Sequence, residues 1–439
     1  MTTSPPASTA RILWSIALPA MLTNLATALF GLADMWAIGR LGDASAQGAV
    51  ELGAKFMVGL LNVFNFLRTS TVALTAQGSG RNDRRERAET LTRAMAVALG
   101  IALVLLAAMP LVIPIGLDLL GAQLQVRTEA QAYVTIRYWA APFWLANCVL
   151  VGWLVGQRNV RQVLIVEVAA NLAHIALDLA FVLGAGWGVE GVATATLLSE
   201  ALKFALLAAI AARNPAAGEA LMRARHRATW QRTELARLFA LNRDLFIRTL
   251  LLTGTILLFA RTGAQSGPLI LAANGILFQL FMLSTLLLDG FESAAQVLCG
   301  EAVGARDRGR LLAATRLALM RGAGLAVLIA LVYAFGGETL ASWFNTDAQV
   351  RATTASYAPW LIALPLAGFA SFVFDGTFVG AGWTRAMLGT MLFALAVFAA
   401  TLWLAKPLGN HGLWLAFTLL FVARAVGQAV MLPRLARRI

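Results

Sequence analysis

Twelve apolar stretches, most of them about twenty residues or longer, follow one another along this chain, and a water-soluble fold has no way to bury them all. A bilayer core about 30 Å thick is crossed by roughly 20 helical residues. The stretches lie at 12–38, 50–76, 91–116, 132–156, 163–185, 189–212, 243–262, 272–298, 312–336, 352–380, 386–406 and 411–432, and short loops use most of what remains of the 439 residues. Hydrocarbon gives backbone N–H and C=O groups no partners, so each stretch must satisfy its own as a helix. The expected fold class is therefore all-α and integral to the membrane, with twelve transmembrane helices. Charged residues make up 13% of the chain, against about 25% for a soluble domain. The first stretch is too long for a signal-peptide core and lacks a convincing cleavage site, so it is read as retained.

The formal charge of +13 would point to nucleic acid in a soluble protein. Here it follows the membrane. With both termini inside, the inner tail and loops hold 21 of the 35 Lys and Arg residues, and the outer loops hold 5. That asymmetry is the positive-inside rule, and it places both ends in the cytoplasm. The organisation expected is a disordered tail at 1–10, an N-lobe of six helices at 11–212, a basic cytoplasmic linker at 213–242, a C-lobe of six helices at 243–433, and a basic tail at 434–439. Cys148 and Cys299 both fall within apolar stretches, as packing residues rather than a disulfide or metal pair.

The chain repeats itself at an offset of 224 residues: Gly80-Arg81-Asn82-Asp83-Arg84 returns as Gly304-Ala305-Arg306-Asp307-Arg308, and Gly152-Trp153-Leu154-Val155-Gly156 returns as Gly376-Thr377-Phe378-Val379-Gly380. Each half has six spans, so both halves enter the membrane from the same side. Such halves are related by a pseudo-two-fold axis along the membrane normal, and transporters place a cavity at the seam.

Against this apolar background, buried charge is the functional signal. A carboxylate at the bilayer centre costs about 2.5–3.5 kcal/mol on insertion scales, so such residues face a wet path or a partner. Glu167, Asn171, His174 and Asp178 are spaced 4, 3 and 4, which puts them on one helical face. His174 and Asp178 are close enough to hydrogen-bond and titrate as a pair. The eighth stretch repeats the spacing with Thr285, Asp289, Glu292 and Gln296; its two acids, one turn apart, would share a proton or recruit a cation. The repeat offset makes Arg68 the counterpart of Glu292 and Asn65 that of Asp289, so equivalent positions differ in charge; Arg68 is expected either to neutralise Glu292 or another acid, or to snorkel to an aqueous cavity. Asp34 stands alone in the first stretch, fifteen residues after Pro19, a candidate hinge because proline removes a helix N–H. Asp375 precedes the repeated glycine motif, where small residues let helices approach closely. Glu200 with Lys203, Asp244 with Arg248, and Arg424 near Gln428 read as local structural pairs.

Four segments carry a family resemblance: Gly31-Leu32-Ala33-Asp34 with Ile38-Gly39-Arg40-Leu41-Gly42; Asn171 to Asp178 with Gly188-Val189-Glu190-Gly191-Val192-Ala193-Thr194-Ala195; Leu288-Asp289-Gly290-Phe291-Glu292 leading to Gly304-Ala305-Arg306-Asp307; and Phe374 to Ala381. In this order and spacing the chain resembles the multidrug and toxic-compound extrusion (MATE) transporters, in their DNA-damage-inducible F-like branch. The resemblance implies two six-helix lobes and export of organic compounds driven by inward H+ or Na+ flow. It implies that Asp34 and Asp178 are the N-lobe cation-binding acids with Asn171 nearby, and that Asp375 matches the C-lobe acid of Na+-linked members. Two departures favour a proton: His174 stands where the family often has Asn, and the seventh stretch has no acid beyond Asp244 near its start.

The expected function is a secondary multidrug efflux antiporter, exchanging organic cationic or amphipathic compounds for H+ across a bacterial inner membrane. The alternatives are a Na+-coupled exporter of the same fold and a lipid-linked sugar flippase. The flippase would line its cavity with several cations, and only Arg68 and Arg137 are central candidates. An enzyme is not expected. His174, His226 and His411 are widely separated, and no zinc-protease, nucleophile-elbow or phosphate-loop motif occurs. No cofactor, metal or nucleic acid is expected, and the chain is expected to work as a monomer.

Overall fold

The computed structural model describes residues 7–40, 42–121, 124–344 and 347–439. Fifteen α-helices run in order: α1 (Ala7–Gly39), α2 (Ala44–Asn62), α3 (Phe66–Gly80), α4 (Arg84–Leu119), α5 (Leu124–Tyr138), α6 (Ala141–Val155), α7 (Val160–Asp178), α8 (Gly188–Ala212), α9 (Pro215–Arg223), α10 (Arg232–Gln265), α11 (Pro268–Gly304), α12 (Arg308–Phe344), α13 (Ala348–Gly380), α14 (Thr384–Leu404) and α15 (Asn410–Ala436). Among the described residues, ten helices are long and apolar enough to cross a membrane. Helices α2 and α3 count there as one, joined through a 3-10 turn at Val63–Asn65. An eleventh span is the bent pair α5 and α6, which meet at 47°. Pro142 opens α6 without an N–H to give the turn before it, and the chain bends there. The 33-residue α1 brings the number to the twelve expected.

Two compact units divide the chain: Arg243–Ile439 with the start of α1, and Leu22–Asn242. Of the expected disordered tail, residues 1–6 lie outside the described residues, while Ala7 to Ala10 already belong to α1. The expected linker at 213–242 is not an open loop. It holds α9, a 3-10 turn at Arg227–Trp230 and the start of α10. Helix α4 ties it down: Arg84 Nη2 donates to the Pro215 carbonyl (2.9 Å), Thr92 Oγ1 to Ala220 (2.8 Å) and Arg93 Nε to Thr229 (2.6 Å). Three side chains of α4 thus hold three carbonyls along the segment.

The repeat has a backbone explanation, and the same one in each unit. A Cβ on Gly152 would lie 2.6 Å from the Arg68 carbonyl oxygen, and one on Gly156 would lie 2.8 Å from that of Val72. At the same offset, Gly376 would meet the Glu292 oxygen at 2.1 Å and Gly380 that of Gln296 at 2.2 Å. The fourth span of each unit thus packs backbone to backbone on the second. The second repeated motif is a turn. Asn82 and Arg306 both take left-handed φ (55° and 54°), and Asp83 and Asp307 both cap the next helix, accepting from Glu86 N (3.0 Å) and Arg310 N (2.8 Å). Arg158 and Gly382, also 224 apart, share a positive φ (64° and 75°) after the glycine pairs.

The Arg243–Ile439 unit adds an aromatic core in which Phe259 meets Trp414 edge-on at 4.9 Å and Phe281 meets Phe417 at 5.5 Å. Beside it Asn274 and Asn410 exchange amide hydrogen bonds of 2.8 and 2.9 Å, and Trp414 Nε1 donates to Asn274 (2.9 Å).

Replacing Gly380 by Ala drives a Cβ into a peptide group and is expected to cost about 1–3 kcal/mol, seen as a lower melting temperature of the detergent-solubilised protein. Gly100→Ala, where nothing lies within 4 Å, is the control and should leave the melt unchanged or raise it. Equal melts for the two variants would remove the glycine seam as the reason for the repeat.

Candidate functional site

The polar face of α7 works as one row, turned toward α1 and α8. At its first level, Glu167 accepts from Lys203 Nζ of α8 (2.6 Å) and from Thr27 Oγ1 of α1 (3.1 Å). One turn on, Asn171 Nδ2 donates to the Ala26 carbonyl of α1 (2.9 Å). At the third level His174 Nε2 lies 2.5 Å from Asp34 Oδ1 and 3.1 Å from Asp178 Oδ2. Its Nδ1 lies 3.3 Å from Ser199 Oγ of α8. Asp34, His174 and Asp178 are all at least 97% buried. Immediately after Asp178 the chain widens into a π-turn, Leu179–Gly184, a deviation common beside functional residues.

Hydrogen-bond geometry constrains the protons of this trio. Two oxygens or nitrogens bearing only lone pairs repel at such distances, so a proton lies between His174 Nε2 and Asp34. Ser199 spends its own hydrogen on the Thr196 carbonyl (2.9 Å), leaving its oxygen free to accept from Nδ1. Nδ1 therefore donates to Ser199, and the proton shared with Asp34 makes the pair either an imidazolium with a carboxylate or an imidazole with a carboxylic acid. Asp178 has no hydrogen-bond partner on either carboxylate oxygen, although both are buried. Two ionised carboxylates around one imidazolium leave an uncompensated charge, which burial penalises heavily. The trio is balanced by one additional proton or cation.

The same three residues bring one ligand atom each to within 4.8 Å of one another, close enough to share an ion. The donor set fits a hard cation poorly: an imidazole nitrogen suits transition metals, while Ca²⁺-like ions take six or more oxygens.

Next to the trio is a cavity of about 390 Å³, lined among others by Asp34, Asn171, Glu167, Arg137, Lys203 and Trp144, with Met57, Val58 and Leu61 on its apolar wall. Asp34 is thus shared by the trio and the cavity. It is not solitary, as its stretch suggests, but engaged by His174. Lys203 turns to Glu167 rather than to Glu200, and Glu200 accepts from Asn147 Nδ2 (2.7 Å). Pro19 sits inside an unbroken α1.

The other unit holds a different arrangement. Asp375, 1% exposed, accepts from Arg248, from Arg424 and from Gln428 Nε2, the last at 2.7 Å. Arg248 therefore serves Asp375 and not Asp244, whose partners are Arg243 (2.8 Å) and Thr384 Oγ1 (3.2 Å). A carboxylate already held by two guanidiniums has no charge left for a cation. Asp289 and Glu292 are half-buried on α11, and Arg68 is half-buried on α3 with no carboxylate at ion-pair distance among the described residues.

Residue patterns overlooked Ser199, Lys203, Thr27 and Tyr133 as parts of the site. The signal was present on α8, where Thr196, Ser199, Glu200 and Lys203 form a polar stripe at helical spacing. On α5, Tyr133 and Arg137 sit at i and i+4, and Arg137 donates to the tyrosine hydroxyl.

The MatE family profile matches residues 19–180 and 245–403, one block in each repeat. The chain is 35% identical over 432 residues to the DNA damage-inducible protein F of Escherichia coli strain K12, covering 97% of this chain and 93% of that protein. It is 26% identical to the chloroplastic Protein DETOXIFICATION 44 of Arabidopsis thaliana, covering 94% of this chain and 80% of that one. The structure superposes on a crystal structure of a MATE protein in the bent conformation with a TM-score of 0.88 at 18% identity, over 99% of both chains. The resemblance drawn from the four sequence segments holds over the whole length.

Removing one partner of a buried ion pair costs about 3–5 kcal/mol, more than removing both. Lys203→Met is therefore expected to lower the melting temperature more than Glu167→Gln combined with Lys203→Met. A double variant no more stable than the single would show that the pair contributes nothing at this site.

Proposed function

The chain belongs to the MatE family of multidrug and toxic-compound extrusion transporters, and from that premise we propose that it is an antiporter exporting amphipathic organic compounds in exchange for protons. The observation carrying this reading is the hydrogen-bonded contact of 2.5 Å between His174 and Asp34, with Asp178 buried beside it and one positive charge needed for balance. Protons satisfy that need without a coordination shell. A three-donor set that includes an imidazole nitrogen suits Na+ poorly, and in the other unit Asp375 is occupied by arginines.

The residues divide the work simply. Asp34 on α1 and Asp178 on α7 exchange protons, and His174 bridges them. Asp34 also faces the cavity, so a bound compound and a proton meet at the same carboxylate. Loading the trio neutralises it, and unloading leaves charge that must be re-solvated, so each state favours a different exposure of the site. Asn171 and Glu167 hold α1 against α7 at the two preceding turns, which transmits any change at Asp34 along the helix. The substrate in this reading passes through unchanged. In this reading the protein lies in a bacterial inner membrane with both ends cytoplasmic, as its arginines are distributed, and acts as a monomer.

Efflux of a fluorescent amphipath from proteoliposomes under an imposed pH or Na+ gradient tests this. Asp34→Asn and Asp178→Asn are each expected to abolish gradient-driven efflux while inserting normally. His174→Asn removes one titrating group and is expected to shift the pH profile of exchange. Transport that ignores a proton gradient and follows Na+ would refute proton coupling, and wild-type rates in both Asp variants would remove these acids from the path.

A further inference from the structure

Within the cavity the charges are unevenly matched. Five charged side chains line it: Asp34, Glu167, Glu200, Arg137 and Lys203. Asp34 is held by His174, Glu167 and Lys203 pair at 2.6 Å, and Glu200 accepts from Asn147, a neutral amide that leaves its charge in place. Arg137 has no carboxylate within ion-pair distance among the described residues. Its guanidinium donates to the Tyr133 hydroxyl and lies 5.4 Å from the centre of that ring. Tyr133 is fully buried and wedged against Gly53, where a Cβ would come within 2.3 Å of its ring, so the platform under Arg137 is fixed. A guanidinium has five N–H donors in a planar fork, and one tyrosine oxygen leaves most of the fork open. Opposite stands the apolar wall of Met57, Val58 and Leu61.

We propose that this cavity selects amphipathic compounds carrying an anionic group, a carboxylate, sulfonate or phosphate, which Arg137 binds through its fork while the apolar body lies against Met57, Val58 and Leu61. The inference rests on the efflux reading and narrows its substrate class: Lys203 is committed to Glu167, whereas the Arg137 guanidinium lines the cavity with no carboxylate at ion-pair distance among the described residues. Arg137 is a specificity residue, separate from the proton-carrying trio. A charge-assisted, two-point contact of this kind is far stronger than the single contact a methyl ester of the same compound would make.

The test uses equilibrium binding, so it stands whether or not transport proves proton-coupled. The full chain in phosphatidylcholine nanodiscs is titrated by fluorescence anisotropy with a rhodamine bearing a free benzoate and with the same dye as its methyl ester. The wild type is expected to bind the free acid roughly tenfold or more tightly than the ester. Arg137→Gln is expected to lose that preference with ester affinity unchanged, and Arg137→Lys to regain part of it. Should Arg137→Gln fail to fold, displacement of the ester dye from the wild type by an alkyl sulfonate, but not by an alkylammonium of equal length, supports the same site. Loss of the preference when phosphatidylglycerol is added supports the anion site and assigns its occupant to a lipid headgroup. No preference in the wild type, or an equal loss of both dyes in Arg137→Gln, overturns the proposal.

Discussion

One imidazole against two buried carboxylates is the interaction on which the N-terminal unit turns. His174 is the only cationic group that touches Asp34 or Asp178 among the described residues, and it touches both. The trio cannot shed its burial penalty by packing, because among the described residues no lysine or arginine pairs with it. Its charge must be settled by protons arriving and leaving, or by a change in burial. The row of contacts below it, Asn171 to Ala26 and Glu167 to Thr27, makes α1 a partner in that settlement rather than a bystander.

The two units share a frame and differ in charge. At the glycine seams they are nearly superimposable in kind, with peptide oxygens of α3 and α11 facing the bare faces of α6 and α13. Where the N-terminal unit carries a histidine and two acids, the other gathers two arginines and a glutamine on Asp375. A duplicated scaffold thus carries one centre with two acids around a single histidine and one whose acid is held by two arginines. Arg424 is 2% exposed and packs its guanidinium 5.6 Å from the Phe421 ring, which suits a structural ion pair.

Much of this was legible in the residues. Helical spacing put Glu167, Asn171, His174 and Asp178 on one face, and that face is the site. Length and hydropathy marked the spans, since the bilayer allows little else. What periodicity cannot carry is which helix lies opposite. Asp34 looked solitary because its partner is 140 positions away. Lys203 was assigned to its neighbour Glu200, whereas the fold offers Glu167 from another helix at 2.6 Å. Arg248 was assigned to Asp244 for the same reason. Local pairing is the default for a sequence reader; burial favours whichever carboxylate has the greater need of a counter-charge. The linker at 213–242 reads as solvated from its arginines, and most of 221–240 is exposed; the bonds from α4 to its carbonyls are what the residues do not reveal.

The seams of Gly152 with Gly156 and of Gly376 with Gly380 have a mechanical consequence. Each locks two successive helical turns onto a neighbouring main chain, at separations no side chain tolerates. Sliding α6 on α3 by a single residue would push Trp153 or Val151 into those peptide planes, and the same holds for Asp375 or Thr377 on α13. Neither pair can serve as a sliding joint. Any change of shape inside the Leu22–Asn242 unit must be borne by the helices held through polar side chains, α1, α7 and α8, whose bonds can be broken and remade without moving the spine they rest on.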